Sequence, residues 1–175
     1  MAKTTSTEDF SGYTKAKVNK GSLKVGNKVP NFKVASTAEE PFSLADFKDQ
    51  NVVLFFYPKD STPGCTVEGH DFTKLKKKFE KLNTQVFGVS KDSLKSHFKF
   101  IEKQGYTIDL LSDEESTVCD FFGVIKEKNM YGKKFLGIER STFVISSDGK
   151  LVKEWRGLKV PGHAEEVHRF VKEEL

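Results

Sequence analysis

Only two cysteines, Cys65 and Cys119, occur among 175 residues. Two thiols are too few for a secreted disulfide scaffold or a four-cysteine zinc site. They suit a reducing compartment, where a thiol is kept as core filler or for its reactivity. Arginine is nearly as scarce: Arg140, Arg156 and Arg169 stand against 26 lysines. The net charge of +4 therefore lacks the planar, bidentate donors that read bases and clamp phosphates, so nucleic-acid binding is not expected. The lysines between Lys74 and Lys81 alternate with Leu75 and Phe79, as on a solvated helix face. No apolar stretch approaches the roughly 18 residues of a membrane span, the longest being Val52 to Tyr57. The first residues carry no apolar signal segment, and Glu8, Asp9 and the absence of arginine argue against a transit peptide. The expected protein is soluble and cytoplasmic, with no membrane partner.

What is present is enough for one core. Sixteen phenylalanines and a hydrophobic fraction of 37% exclude wholesale disorder. Residues 1–22 are polar and without periodicity, and read as an extension that Phe10 and Tyr13 would pin to the surface. Residues 23–175 read as a single domain. Within it, Asn51 to Tyr57 is a continuous apolar run ended by Pro58, the pattern of a central strand covered on both faces. A helix follows with Phe72, Leu75, Phe79 and Leu82 at helical spacing. Gln85 to Val89 is a second strand. Asp92 or Ser93 caps a helix with Leu94, Phe98 and Ile101 on one face, closed by Gly105. A short strand at Leu110–Leu111 precedes a helix over 114–122. Residues 126–137 read as a loop. Thr142–Ile145 and Leu151–Trp155 form a hairpin across Ser147-Asp-Gly149, and a last helix from His163 turns Ala164, Val167 and Val171 inward. This order gives an α/β architecture: a mixed sheet with helices on both faces.

Cys65 falls where the buried strand has ended, a Pro- and Gly-containing loop turns, and a helix begins. There the unpaired N–H groups and the positive end of the helix dipole favour a thiolate, the nucleophilic form. By spacing alone Cys65 is either such a nucleophile or an inert core cysteine. Thr62 is placed to aim its hydroxyl at the sulfur or at an oxygen beside it, and Pro58 fixes the entry angle of the loop. The histidines supply no metal-ligand spacing, Cys-x-x-Cys is absent, and Asp113-Glu-Glu115 reads as a helix start. No metal or cofactor is expected.

Pro58-Lys-Asp-Ser-Thr62-Pro-Gly-Cys65 fits the Pro-x-x-x-Thr-x-x-Cys signature of the peroxiredoxins. Glu139-Arg140-Ser-Thr-Phe143 resembles the segment that bears their active-site arginine. Tyr131-Gly-Lys-Lys and Phe122-Gly-Val-Ile are similar more narrowly to the bacterioferritin-comigratory-protein or PrxQ branch. The resemblance spans roughly residues 25–175. It implies a thioredoxin-like fold, thiol-dependent reduction of hydrogen peroxide and organic hydroperoxides, and a monomer. By the same resemblance Cys65 is the peroxidatic cysteine, supported by Pro58, Thr62 and Arg140. Read without the resemblance, Arg140 is a surface ion pair with Glu139 or another acid.

One departure bears on the cycle. Many members of the branch carry a resolving cysteine five residues after the peroxidatic one. Here that position is His70, read as an exposed helical residue. Cys119 shares a helix face with Phe122 and reads as a buried small hydrophobe or as a resolver. The expected cycle uses one essential cysteine and an external thiol: thioredoxin, glutaredoxin or glutathione. Two rivals remain, a disulfide oxidoreductase lacking its first cysteine and a redox-sensing or holdase module.

Overall fold

The structure, a computed structural model, describes residues 23–175. The extension over 1–22, with Phe10 and Tyr13, lies outside the described residues. The chain opens with strands β1 (Lys33–Ser36) and β2 (Phe42–Ser43) and a 3₁₀ turn at Leu44–Phe47. Strand β3 (Asn51–Phe56) follows, then helix α1 (Pro63–Lys81), β4 (Thr84–Ser90), α2 (Leu94–Gln104), β5 (Asp109–Ser112) and α3 (Thr117–Phe122). The rest is β6 (Ile125–Met130), β7 (Lys133–Ile138), β8 (Ser141–Ile145), β9 (Leu151–Arg156) and α4 (His163–Glu174).

Seven strands form one sheet in the order β2-β1-β5-β4-β3-β8-β9. β3, β4 and β5 run parallel, while β8 lies antiparallel to β3 and β9 antiparallel to β8. The mixed sheet is thus the expected one. All six residues of β3 are buried, because helices cover both faces and alternate side chains enter different cores. Leu54 and Phe56 pack with Val118, Cys119 and Phe122 of α3. Val53, Phe55 and Tyr57 pack with Cys65, Phe72 and Phe79 of α1, Phe100 of α2 and Val167 of α4. No helix among the described residues is long and apolar enough to cross a membrane.

Several local expectations are corrected. Residues 126–137 are not a loop. They lie in a separate hairpin of β6 and β7, paired from Ile125↔Ile138 to Met130↔Lys133. The turn residues Tyr131 and Gly132 both have positive φ (54° and 79°), as a primed turn demands. Tyrosine in the place of asparagine, between strands exposed on both faces, gives no alternation to read. Helix α3 begins at Thr117 rather than 114, because Asp113 accepts the N–H groups of Val118 and Cys119 and fixes its first turn. Phe98 is exposed, and His97 and Phe100 form the buried line of α2 instead. Capture of His97 by Asp60 at 2.7 Å sets that rotation. Ser93, not Asp92, caps the helix by accepting from Ser96 N–H.

Candidate active site

β3 delivers the chain at Tyr57 to the loop 58–62, and Thr62 is the N-cap of α1 in an extended conformation. Pro63 occupies the first helical position, where a missing N–H costs nothing. The helical ladder begins with Thr66 N–H on Thr62 O at 2.9 Å. The N–H groups of Gly64 and Cys65 therefore have no partner within the helix. Cys65 lies in this first turn and is 2% exposed, so its sulfur meets the helix terminus with little bulk water.

Arg140, just beyond β7, reaches the same place. Its Nη2 donates to Cys65 Sγ at 3.5 Å, and its Nη1 donates to Glu68 Oε1 at 2.7 Å. The approach depends on Gly64, since a Cβ there would lie 3.1 Å from Nη2. Glu68 is a partner that the sequence reading did not name: the reading without the resemblance offered Arg140 an ion pair with Glu139 or another acid, and that acid is Glu68, buried beside the sulfur. The available signal was the three-residue interval from Cys65, which puts both on one helix face. Burial pushes the Glu68 carboxyl up to about 7, against the opposing charge and hydrogen bond of Arg140. Its Oε2 is buried without a hydrogen-bond partner.

The loop is held from beneath by a buried polar cluster that the sequence did not announce. Asp60 Oδ1 accepts from the Tyr57 hydroxyl at 2.7 Å. Asp60 Oδ2 accepts from the Ser96 hydroxyl at 2.7 Å and contacts His97 Nδ1 at the same distance. Its N–H donates to Asp92 Oδ2 at 2.9 Å. His97 Nε2 lies 2.9 Å from the Leu111 carbonyl, which can only accept. Burial works to raise the Asp60 carboxyl, but His97, Tyr57 and Ser96 together outweigh it and hold the group below its ordinary value. Asp60, Asp92 and His97 bring ligand atoms within 4.8 Å of one another. Those atoms are engaged in the bonds just described, and the cluster works as a clamp on the loop.

Thr62 Oγ1 donates to Lys59 O at 2.8 Å. Its proton is thus directed at the backbone, and its lone pairs stay free to accept. Pro58 is half-buried in the same loop. The three residues of the signature, Pro58, Thr62 and Cys65, therefore lie along one loop and helix start, which Arg140 reaches from beyond β7. His70 is not the exposed residue expected. It is half-buried, with Nε2 2.9 Å from Gln104 Oε1 and its ring edge-on to Tyr106.

Cys119 is elsewhere. It is fully buried in the core of α3, on the face of the sheet opposite to the core that holds Cys65. Burial raises its thiol well above the ordinary range, and the Asp113 carboxylate adds to the effect. Such a thiol stays protonated and is a poor nucleophile.

Residues 25–154 match the model of the AhpC/TSA family. Peroxiredoxin Bcp of Xanthomonas campestris pv. campestris is 56% identical over 121 residues, which cover 69% of this chain and 76% of that one. A structure of Xylella fastidiosa PrxQ carrying one cysteine-to-serine change superposes with a TM-score of 0.82 at 45% identity, over 86% of this chain and 96% of its own. A structure of the Xanthomonas campestris bacterioferritin comigratory protein, solved to give insight into its alkyl peroxide reduction activity, superposes with a TM-score of 0.77 at 47% identity. It covers 81% of this chain and 90% of its own.

Proposed function

The chain belongs to the AhpC/TSA family, among its Bcp/PrxQ peroxiredoxins, and from that premise we propose that Cys65 alone carries the redox cycle, with an external thiol as reductant. The fold is thioredoxin-like, and the activity is that of a thiol-dependent peroxidase acting on hydrogen peroxide and organic hydroperoxides. The observation that carries the assignment of Cys65 is the Arg140 guanidinium at 3.5 Å from its sulfur, at the start of α1.

The chemistry follows from the placement. The Cys65 thiolate attacks one peroxide oxygen, forming an S–O bond as the O–O bond breaks. The attacked oxygen keeps its hydrogen and remains as a sulfenic acid. The other oxygen leaves as hydroxide or alkoxide and takes a proton from the medium. Charge builds on both oxygens in the transition state. Arg140 Nη2 and the Gly64 and Cys65 N–H groups are donors already in place for it. Thr62 Oγ1, with its own proton on Lys59 O, is suited to accept from the hydroperoxide O–H and so orient it. Pro58 limits water at the sulfur.

The separation of the two cysteines across the sheet supports one-cysteine chemistry over resolution by Cys119. An external thiolate then attacks the sulfenic acid sulfur, the S–O bond breaks, and the oxygen leaves as water after taking up a proton. A second thiol releases Cys65 as thiolate and leaves with the first as a disulfide. Nothing in this cycle requires a second copy of the chain, so we take the working unit as a monomer. The test is peroxide consumption with and without a thiol, alongside mass spectrometry after one equivalent of peroxide. Cys65→Ser is expected to abolish turnover while keeping the fold. Catalytic turnover by that variant would remove Cys65 from the mechanism, and a single oxidation of the native chain without turnover would favour the sensor reading.

A further inference from the structure

The hairpin of β6 and β7 ends two residues before Arg140, and one lysine on it differs from its neighbours. Lys126, Lys133 and Lys134 are exposed, whereas Lys128 is half-buried. Lys128 pairs with Phe135 across the hairpin, and Gly137 lies diagonally from it. A Cβ at Gly137 would sit 3.2 Å from Lys128 Cδ and 3.3 Å from the Phe135 ring. The lysine stem therefore lies across the bare glycine beside that ring, leaning towards the base of the hairpin, beyond which Arg140 follows. Its ammonium senses the site. Burial and the Arg140 charge lower its pKa, while Cys65 and Glu139 act in the opposite sense.

We infer that Lys128 is a specificity-determining residue for the reductant, favouring a thiol that carries an anionic group close to its sulfur. The inference rests on the one-cysteine reading of Cys65. It follows from what oxidation does to the charges. The Arg140 guanidinium has a second partner, Glu68, on its other nitrogen. Of the two negative charges that act on the Lys128 ammonium, that of Cys65 disappears when the thiolate becomes a neutral sulfenic acid, while that of Glu139 stays. The Lys128 ammonium, partly desolvated and repelled by Arg140, then keeps only Glu139 of those counter-charges at the step when the reducing thiol must enter. A carboxylate or sulfonate a few bonds from the incoming sulfur restores the balance. It also raises the local concentration of the thiol there, as charge complementarity does at any docking step. The incoming thiolate forms the S–S bond, and the sulfenic oxygen departs as water after protonation. Lys128 takes no part in either bond change.

The test compares two thiols that differ in charge, neutral mercaptoethanol and anionic mercaptoethanesulfonate. The chain is oxidised with one equivalent of hydrogen peroxide, and the rate of mixed-disulfide formation at Cys65 is measured with each. The ratio of anionic to neutral rates is then compared among variants, so that intrinsic thiol reactivity and any change in Cys65 itself cancel. Lys128→Met is expected to lower this ratio by about three- to tenfold, the effect of one charge at several ångströms in a partly screened site. Lys128→Arg should restore most of it. Lys134→Met, which removes the same charge from an exposed position of the hairpin, should leave it unchanged. In the native chain the ratio should also fall at high salt, a readout that needs no variant. An unchanged ratio in Lys128→Met, or a native ratio insensitive to salt, overturns the assignment of Lys128 while leaving Cys65 in place. Failure of peroxide to oxidise Cys65 would instead remove the reading on which it rests.

Discussion

Arg140 makes its shorter contact with Glu68, at 2.7 Å, and its longer one with Cys65, at 3.5 Å. The carboxylate is almost wholly buried, and the guanidinium donates its hydrogen bond from Nη1. An ion that stabilises the reacting sulfur is therefore itself held in place by a group that is costly to charge.

That cost gives a pH dependence of known sign. The folded Glu68 carboxyl sits at about 7 against an ordinary 4.5. Between those values the folded chain holds a proton that the unfolded chain has released. The contribution of this group to stability is present below about 4.5 and is lost as pH rises towards 7. Glu68→Gln keeps an acceptor for Arg140 Nη1 and removes the ionisation. Relative to the native chain it should gain stability from about pH 5 to pH 8, by roughly 2–3 kcal/mol. Urea unfolding at the two pH values checks this, and an equal difference at both would refute it. Glu68→Ala leaves Nη1 without its acceptor, and the rate constant with hydrogen peroxide should fall by about tenfold or more.

Cys119→Ser tests the one-cysteine cycle from the other side. Serine is nearly isosteric and Asp113 is at hand as an acceptor, so the expected loss of stability is about 1 kcal/mol. Turnover with a small thiol should stay within about twofold of the native chain, since the buried thiol is not asked to react. A Cys65–Cys119 disulfide after stoichiometric peroxide, together with lost turnover in this variant, would reverse the reading.

Asp60 is the keystone of the loop that carries Thr62. Asp60→Ala removes the acceptor shared by Tyr57, Ser96 and His97, and leaves the buried His97 Nδ1 without its partner while Nε2 keeps the Leu111 carbonyl. The expected cost is about 3 kcal/mol, with a lower peroxide rate because the loop is no longer fixed. The Asp60 carboxyl is held below its ordinary 3.8, so its contribution is present above that pH and disappears as pH falls through the lower folded value. Thermal unfolding should show the variant and native chain far apart at neutral pH and converging only below about 3.8.

Gly69→Ala should be destabilising although alanine is the better helix former. The added Cβ would overlap the Tyr106 ring, whose hydroxyl donates to Thr66 O at 2.7 Å, one residue from Cys65. Overpacking of this kind costs about 1–3 kcal/mol. A midpoint of urea unfolding at or above the native value would show that Tyr106 can move aside freely.

The sheet was legible because its central strands announce themselves. The run Val52 to Tyr57 can only be buried on both sides, and Ser147-Asp-Gly149 between two apolar segments admits one geometry. The start of α1 was legible for the same reason, since Pro63 and Gly64 mark it and place Cys65 in its first turn. Less accessible were features set by pairs distant in sequence. Glu68 looks like one more acid on a lysine-rich helix until Arg140, 72 residues later, is folded against it. Asp60 and His97, 37 residues apart, behave alike, and their pairing turned α2 so that Phe98 faces outward and Phe100 inward. The β6–β7 hairpin escaped because neither strand has a buried face to give it a period.

That hairpin has its own dynamic consequence. A two-stranded ribbon is marginal by itself, and Tyr131 at its tip is 98% exposed with a positive φ. Its base, by contrast, is fastened: Glu139 N–H bonds to Val124 O at 2.7 Å, and Arg156 donates to the carbonyls of Phe122 and Gly123. Amide hydrogens should therefore exchange fastest near the turn and progressively more slowly towards Ile138, in a gradient along one short ribbon. Lys128 sits midway on that gradient, whereas Arg140 lies beyond its slow end. Fraying from the tip should thus free the lysine stem transiently from Gly137 while the arginine keeps its place.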